Sequence, residues 1–392
     1  MRTAIYFHPE GYSTSAKKLM GRNAAGESFL RGHVSYSENS EFLAVTRTRE
    51  NAQPFIQVVR SIKPNAKIRI VDESKLGETD APEVVFYPGP GLSHPSFQRA
   101  NYGSDAWSLC GIAHTTSSDI AMDRLIELLV SPVEPWDALI CPSEAVKLNI
   151  LNVLDAQKDF LTEKLNAKTF TYPQLPVIPL GVHSEDFAFS RQESESSRSR
   201  LGIGSDEIVV AYMGRLSFHA KAHPAVMYRA LEEASKQTGK QIVLVECGWH
   251  GNDFIKGAFT EAQDLLSPSV KHIFLDGRES ENRDFLWSTA DIFCSFSDNI
   301  QETFGITPLE AMAASVPVVI SDWDGYKESV QDGVEGFKVP TVVPEAGQGE
   351  EFARRFGLGL ETYDRHCGNT CMFVGVDQEA AVNAFKALIE SP

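Results

Sequence analysis

No stretch of this 392-residue chain approaches the ~18 apolar residues that a membrane span needs; the longest unbroken apolar run is Ile208–Met213. Cysteine is scarce and scattered, at 110, 141, 247, 294, 367 and 371. Only Cys367 and Cys371 are close and no CxxC pair occurs, which argues against a zinc site or a disulfide framework and for a reducing compartment. The opening segment, MRTAIYFHPEG, has no signal-peptide hydrophobic region and enters a strand-like pattern directly, so a cytoplasmic location is expected. No GxGxxG follows the first strand of either half, which disfavours a dinucleotide-dependent dehydrogenase. Nor is there an internal repeat of solenoid length.

Positive charge is also in short supply. Lys and Arg number 36 against 53 Asp and Glu, a net charge of −17. Residues 1–175 carry 18 basic and 20 acidic side chains, whereas 176–392 carry 18 and 33. A second half this acidic cannot neutralise a phosphate backbone, so nucleic acid is not an expected partner. The near-neutral first half has basic residues at Lys17, Lys18, Arg22 and Arg31. They suit an anionic acceptor or peripheral association with a membrane face, a solvated helix surface being the plainer alternative.

What is present is ordinary globular material, 42% hydrophobic and 23% charged, in a length that at roughly 150 residues per domain implies two or three domains. Short apolar runs alternate with helix-period stretches. Strands are expected at Thr3–His8, Phe42–Thr46, Lys67–Asp72, Val84–Tyr87 and Ala138–Cys141, then at Ile208–Met213, Gln241–Glu246, His272–Leu275, Ile292–Ser295 and Val318–Ser321. Helices are expected at Ser13–Leu30, Gln53–Ser61, Asp119–Val130 and Ser143–Leu154, then at Pro224–Thr238, Asn252–Leu266, Asp284–Ala290 and Pro308–Ala314. Such alternation means parallel sheets covered on both faces, here in two α/β series. The seam falls in PQLPVIPLGVHSE, Pro173–Glu185, whose three prolines within seven residues forbid a continuous helix. Domains of 1–178 and 179–375 are expected, followed by a C-terminal helix within 376–392, and Ser190–Arg200 is a polar surface segment or short helix.

Chemistry concentrates in Ser297–Glu310, SDNIQETFGITPLE. Gly305 precedes a helix with Thr307 and Pro308 in its first turn, and a helix N-terminus offers amide donors and a positive dipole end to a diphosphate. Glu302 lies before that helix and Glu310 about one turn inside it. An acidic cap and a surface glutamate would give the same spacing.

The wider context distinguishes these. Residues 302–337, ETFGITPLEAMAASVPVVISDWDGYKESVQDGVEGF, closely resemble the nucleotide-sugar signature of family 4 glycosyltransferases. Agreeing in order and spacing are VIPLGVHSEDF at Val177–Phe187, VVAYMGRLSFHAK at Val209–Lys221, DALICPSEAVKLNIL at Asp137–Leu151 and GIAHTTSSD around His114. The resemblance covers residues 100–340 well and the first hundred loosely. It implies a GT-B architecture, two Rossmann-like doubly wound parallel-sheet domains facing a central cleft. It also implies a retaining, metal-independent hexosyltransferase that uses a nucleotide-diphosphate sugar, with no cofactor. The acceptor would be a glycan or lipid-linked glycan, as in bacterial surface polysaccharide assembly.

Residue by residue, Arg215 and Lys221 match the family's diphosphate-binding basic pair, although the glycine usual after that lysine is Ala222 here. Glu310 matches the ribose-binding glutamate and Glu302 the one near the donor sugar. The amides of Thr303, Phe304, Gly305 and Ile306 would face sugar and phosphates, Gly214 would allow close backbone approach, and Gly277 and Arg278 match the base-recognising loop. His114 matches the histidine facing the donor sugar. Catalytic roles are thus implied for His114, Glu302, Arg215 and Lys221. No carboxylate nucleophile stands out, and front-face displacement with the leaving phosphate helping to deprotonate the acceptor is the consistent mechanism.

Three features depart from the pattern. The first strand is followed by HPEGYST, His8–Thr14, with Gly11 as its lone glycine. In GRNAAGESFLRG, Gly21–Gly32, glycines that cost a helix ~1 kcal/mol each relative to Ala imply close packing or an acceptor contact, with Arg22 and Asn23 as acceptor candidates. Asp322 and Asp324 have the DxD spacing of metal-dependent transferases, but in this segment they match a strand-end loop. After Phe337 the stretch Pro340–Thr370 reads as an insertion and Glu379–Ile389 as one amphipathic helix, where relatives continue for several helices. A shortened chain, or a piece of a longer polypeptide with a downstream domain, is therefore expected. Two alternatives stay open: a degenerate GT-B domain acting as a binding or scaffolding subunit, and a GT-B sugar-nucleotide epimerase.

Overall fold

The computed structural model describes residues 2–13, 21–78 and 81–391 and divides into two compact units, Met1–Gly181 and Val182–Pro392. Residues 14–20 of the expected Ser13–Leu30 helix, Lys17 and Lys18 among them, lie outside the described residues, and Ser13 itself is extended.

In the first unit the chain runs β1 (Thr3–Tyr6), α1 (Pro9–Tyr12), α2 (Gly21–Tyr36), β2 (Glu41–Thr46), α3 (Arg49–Ile62), β3 (Lys67–Asp72), β4 (Val84–Phe86), α4 (Ser93–Ala100), β5 (Ser108–Ile112), α5 (Asp119–Ile126), β6 (Ala138–Ile140) and α6 (Glu144–Leu165). Its six strands pair in parallel in the order β3-β2-β1-β4-β5-β6. Strand faces alternate between two cores: Leu43, Val85 and Leu109 enter one, Ile5, Phe42 and Phe86 the other. A parallel sheet buried on both faces needs such apolar runs.

The second unit opens with α7 (Arg191–Arg200), which the Ser190–Glu193 capping box starts by satisfying two end groups reciprocally. It continues β7 (Ile208–Leu216), α8 (Ala225–Thr238), β8 (Ile242–His250), α9 (Asp253–Leu266), β9 (Lys271–Asp276), α10 (Ser280–Thr289), β10 (Ile292–Ser295), α11 (Ile306–Ala313), β11 (Val318–Ser321), α12 (Tyr326–Ser329) and β12 (Gly336–Val339). These six strands are also parallel, in the order β12-β11-β10-β7-β8-β9.

Both sheets thus have one topology. The chain builds outward from the first strand in one direction, returns, and builds in the other, so strand order reverses between β1 and β4 and again between β7 and β10. Ligands of doubly wound sheets bind outside the carboxyl ends of the strands at that reversal.

The expected insertion at Pro340–Thr370 is partly ordered as β13 (Thr341–Val342), α13 (Glu350–Gly357) and α14 (Tyr363–Cys371), with β13 pairing antiparallel to β14 (Gly375–Val376). The amphipathic C-terminal helix is α15 (Gln378–Glu390). Val382, Phe385 and Ile389 bury one face of it in the core shared with Tyr228 and Leu231 of α8, each such side chain contributing about 1.5–3 kcal/mol. Among the described residues no helix is long and apolar enough to cross a membrane.

Candidate functional site

The second unit's strand reversal brings together two loops, residues 217–223 after β7 and 296–305 after β10. Lys221, from the first, donates from Nζ to a carboxylate oxygen of Glu302 in the second. The second loop clamps the first by its side chains. Ser297 Oγ donates to the Lys221 carbonyl (3.3 Å), Asn299 Nδ2 to the His219 carbonyl (2.8 Å), and Asp298 accepts from the His223 amide (3.2 Å). Burial works against the Lys221 charge, but Glu302, and Tyr326 behind it, more than offset this and raise its pKa. Lys221 is therefore a fixed cation, and Arg215 is close enough to repel it. On β7, Arg215 donates weakly to the Ala220 carbonyl, at 3.4 Å, which leaves most of its guanidinium donors uncommitted to that loop.

Gly305 caps α11 with φ +83°, a conformation that costs a side-chain-bearing residue about 1 kcal/mol or more. A Cβ there would also sit 1.9 Å from the Tyr326 ring. The ring is fully buried, and its hydroxyl pairs with Ser295 Oγ at 2.9 Å. Tyr326 thereby sets the direction from which the chain enters α11, whose first-turn amides have no intrahelical partner. Thr303 and Phe304 are buried just ahead of them.

Glu310, inside α11, is partly buried. Desolvation pushes its carboxyl up to about 7, with Arg283 and then Lys221 pulling the other way. Asp324 is also pushed up to about 7, by burial and then by the neighbouring charge of Glu302. It adopts φ +43° in the strand-end loop after β11. Two of the carboxylates around Lys221 thus have weakened acidity.

Gly214 is registered opposite Gly248 on β8, and a Cβ on Gly248 would lie 1.9 Å from the Gly214 carbonyl oxygen. The Gly277 amide in turn donates to the Gly248 carbonyl, at 2.9 Å. The three strand ends therefore draw together without side chains between them. Arg278 stands outside this row, exposed and forked onto Asp276 at 2.5–3.2 Å. The fork occupies Nε and Nη2 of Arg278, and the Gly277 amide is committed to Gly248.

In the first unit, His114 follows β5. Burial, and then the charge of Arg22, lower its pKa to about 4, so it is a neutral imidazole at physiological pH. Arg22 is exposed at the start of α2. Asn23 is 3% exposed and its Nδ2 donates to the Glu10 carbonyl at 2.6 Å. It therefore ties α1 to α2, and Gly26 permits the same contact, since a Cβ there would lie 1.9 Å from the Gly11 oxygen. Arg22 and His114 come together; Asn23 turns into the packing.

Sequence patterns did not single out Tyr326, Arg283 or Gly248. A strand-end glycine beside Gly214 was a usable signal for Gly248. For Arg283, on a polar helix face, no signal existed.

Residues 193–350 match the family model described as glycosyl transferases group 1. Among curated relatives, a D-inositol 3-phosphate glycosyltransferase of Corynebacterium jeikeium is 30% identical over 215 residues, 53% of this chain and 49% of the relative. A putative glycosyltransferase, EpsD, of Bacillus subtilis is 25% identical over 177 residues, 45% of this chain and 42% of the relative. The chain spans about half or less of the length of the curated relatives it matches. In fold it is similar to Anabaena HepE in complex with UDP and glucose, with a TM-score of 0.55 at 16% identity over 100% of this chain and 98% of that one. A glycosyltransferase from Rickettsia africae gives 0.56 at 13% identity over 99% and 95%. Residues 193–350 are thus similar to glycosyl transferases group 1, and the chain has the fold of the GT-B glycosyltransferases.

Proposed function

We propose that the protein is a retaining family 4 glycosyltransferase that moves a hexose from a nucleotide-diphosphate sugar to a glycan or lipid-linked glycan acceptor, without a divalent metal. The observation that carries this is the Lys221–Glu302 pair ahead of α11, at the strand reversal, with Arg215 alongside. A nucleoside diphosphate leaves as an anion, and fixed cations with helix-end amides offset that charge most effectively when already in place. Lys221, Arg215 and the first turn of α11 supply both kinds of group. A bound diphosphate would compete with Glu302 for the Lys221 ammonium and free that carboxylate for the sugar.

Glu310 is proposed to accept the ribose hydroxyls, and His114, as a neutral imidazole, to contact the transferred sugar. No carboxylate is assigned as a nucleophile. Front-face displacement, in which the departing phosphate takes the acceptor's proton, is the mechanism these assignments support.

The test is a set of thermal-shift titrations with UDP, GDP, ADP and their common sugars. UDP goes first, because a structure of similar fold holds it. Stabilisation by one nucleotide family, abolished in Arg215→Ala and in Glu310→Ala and unchanged by EDTA, is expected. Stabilisation by none would overturn the proposal, and loss with EDTA would overturn its metal-free part. Product analysis with the effective donor then reads the anomeric outcome.

A further inference from the structure

Behind the loop that carries Lys221 lies a cavity of about 680 Å³, enclosed by that loop, by the end of β10, and by α14 and β14. Its size is in the range of small-molecule sites. Neither Lys221, Arg215, Glu302 nor Glu310 lines it, so it is separate from the donor site described above. Part of its wall comes from residues 362–376, beyond the matched family segment.

Phe218, Phe296 and Val374 give the cavity an apolar wall, and Asp298, His219 and His223 give it polar groups. Asp298 is 6% exposed. One of its oxygens, Oδ2, accepts from the His223 amide at 3.2 Å. The other, Oδ1, is buried with no hydrogen-bond partner of acceptable geometry, although the weak thiol donor of Cys371 and the residue's own amide lie beside the carboxyl. A buried acceptor left without a donor is costly, and a donor from an occupant would satisfy it.

Charge selects the kind of occupant. Asp298 and Asp364 face Arg365 as the lining's lone cation among the described residues, and Arg365 is drawn to Glu361, at 3.9 Å. His219 lies 3.7 Å from Asp364, and burial lowers the pKa of His223. The lining therefore offers a diphosphate no pair of fixed cations such as the proposed donor site would supply. Aromatic faces beside a carboxylate instead favour a cation carried on an apolar body.

We infer that this cavity is a second ligand site, for a small organic cation with an apolar ring, whose ammonium group pairs with the Asp298 carboxylate. Because Oδ2 of the same carboxylate holds the 217–223 loop, an occupant also steadies the loop that positions Lys221. Burial pushes the Asp298 carboxyl up to about 7, and a bound cation would draw its proton off.

Benzylamine is the probe, with benzyl alcohol and benzoate as its neutral and anionic counterparts. Binding is measured by calorimetry on the full chain, and peptide-level hydrogen exchange follows residues 217–223. Benzylamine should bind at least about tenfold more tightly than benzoate and slow exchange in that loop. Asp298→Asn should weaken it about tenfold, while Val374→Trp, which fills the cavity from its rim, should abolish it. Benzoate binding as well as benzylamine, or benzylamine binding undisturbed by Val374→Trp, would overturn the site, and so would no binding at all. Unchanged exchange in the loop would overturn the steadying role. None of these readouts needs a nucleotide or turnover, so they stand or fall apart from the proposed transferase activity.

Discussion

Arg99 in the first unit and Lys221 in the second are both largely buried cations paired with a carboxylate, and the two pairs are built oppositely. In the first unit Arg99 and Asp137 are fully buried and bidentate, at 2.5 and 2.8 Å. Arg99 also donates to the carbonyls of Trp107 and Pro132, and Asp137 accepts from the amides of Leu109 and Glu134. Both groups are committed to the chain itself. In the second unit Lys221 meets Glu302 through one contact, and their side chains keep 22% and 10% exposure. The Lys221 ammonium has three donors, and the described contacts use one. A charge pair held by backbone on several sides, as here with Arg99 Nε alone left over, is a structural fastener, whereas a pair with spare capacity facing accessible space can exchange partners. Burial alone does not separate the two cases; where the unused valences point does.

The strongest way to break this comparison is at Arg99. Arg99→Leu leaves Asp137 buried without its counter-ion, and removal of one partner from such a pair costs about 3–5 kcal/mol. Urea unfolding of the first unit should show that loss or failure to fold. A loss below about 1 kcal/mol would mean that the pair is not a fastener. Lys221→Gln should do the reverse. Transfer should fall about 100-fold or more, as for loss of a preorganised charge-stabilising group. Stability should fall by less than in Arg99→Leu, because neither Lys221 nor Glu302 is fully buried. Equal losses of stability in the two variants would erase the distinction.

Glu310 sharpens the same contrast through pH. Its carboxyl rises from an ordinary 4.5 to about 7 on folding, so the folded state holds the proton more tightly than the unfolded one. The resulting stabilisation is fully present below about pH 4.5 and is lost as the pH rises through about 7. Wild type should therefore lose about 2 kcal/mol relative to Glu310→Gln between pH 5 and pH 8. Asp298 and Asp324 shift in the same direction, so the variant keeps a shallower slope. Denaturant unfolding at the two pH values measures it. Parallel curves would show that Glu310 is ionised in the unliganded protein at neutral pH.

How far the sequence disclosed this arrangement depended on how local each cause was. β10 and β11 were legible to the residue, because strands buried on both faces are continuous apolar runs such as IFCS and VVIS. Missed were β5, whose SLCGI is broken by a glycine, and α4, which begins SHP. So was β12, a four-residue strand at the sheet edge. Helix α13 went unread inside the stretch taken as an insertion, although Phe352 and Phe356, one turn apart, pack on Phe373 and His366. At the site, Lys221 and Glu302 were legible as members of an ordered pattern, and the structure brings them together. Tyr326 was not, since its role arises from a space that Gly305 leaves 21 positions earlier in the chain. Asn23 resembled a polar surface residue, and only the approach of α1 shows that its amide is used internally.

The smallest expected effect tests whether the first unit has an electrostatic arrangement of its own. His114 is held near 4 chiefly by burial, with Arg22 as the second cause. If Arg22 were simply a solvated helix-face residue, its removal would leave the imidazole untouched. Proximity predicts otherwise, because a nearby cation disfavours the imidazolium and its loss raises the pKa. In Arg22→Ala the His114 ring protons, followed by NMR from pH 3 to 8, should titrate higher by less than about one unit, since desolvation persists. Stability should stay within about 0.5 kcal/mol of wild type, as for an exposed side chain, while Asn23→Ala should cost about 1–3 kcal/mol by leaving the Glu10 carbonyl without its donor. A His114 midpoint unmoved in Arg22→Ala would detach Arg22 from the histidine and return it to the helix surface. A shift without loss of stability would mark the pair as placed for a ligand rather than for the fold, which is the same distinction that separates Lys221 from Arg99.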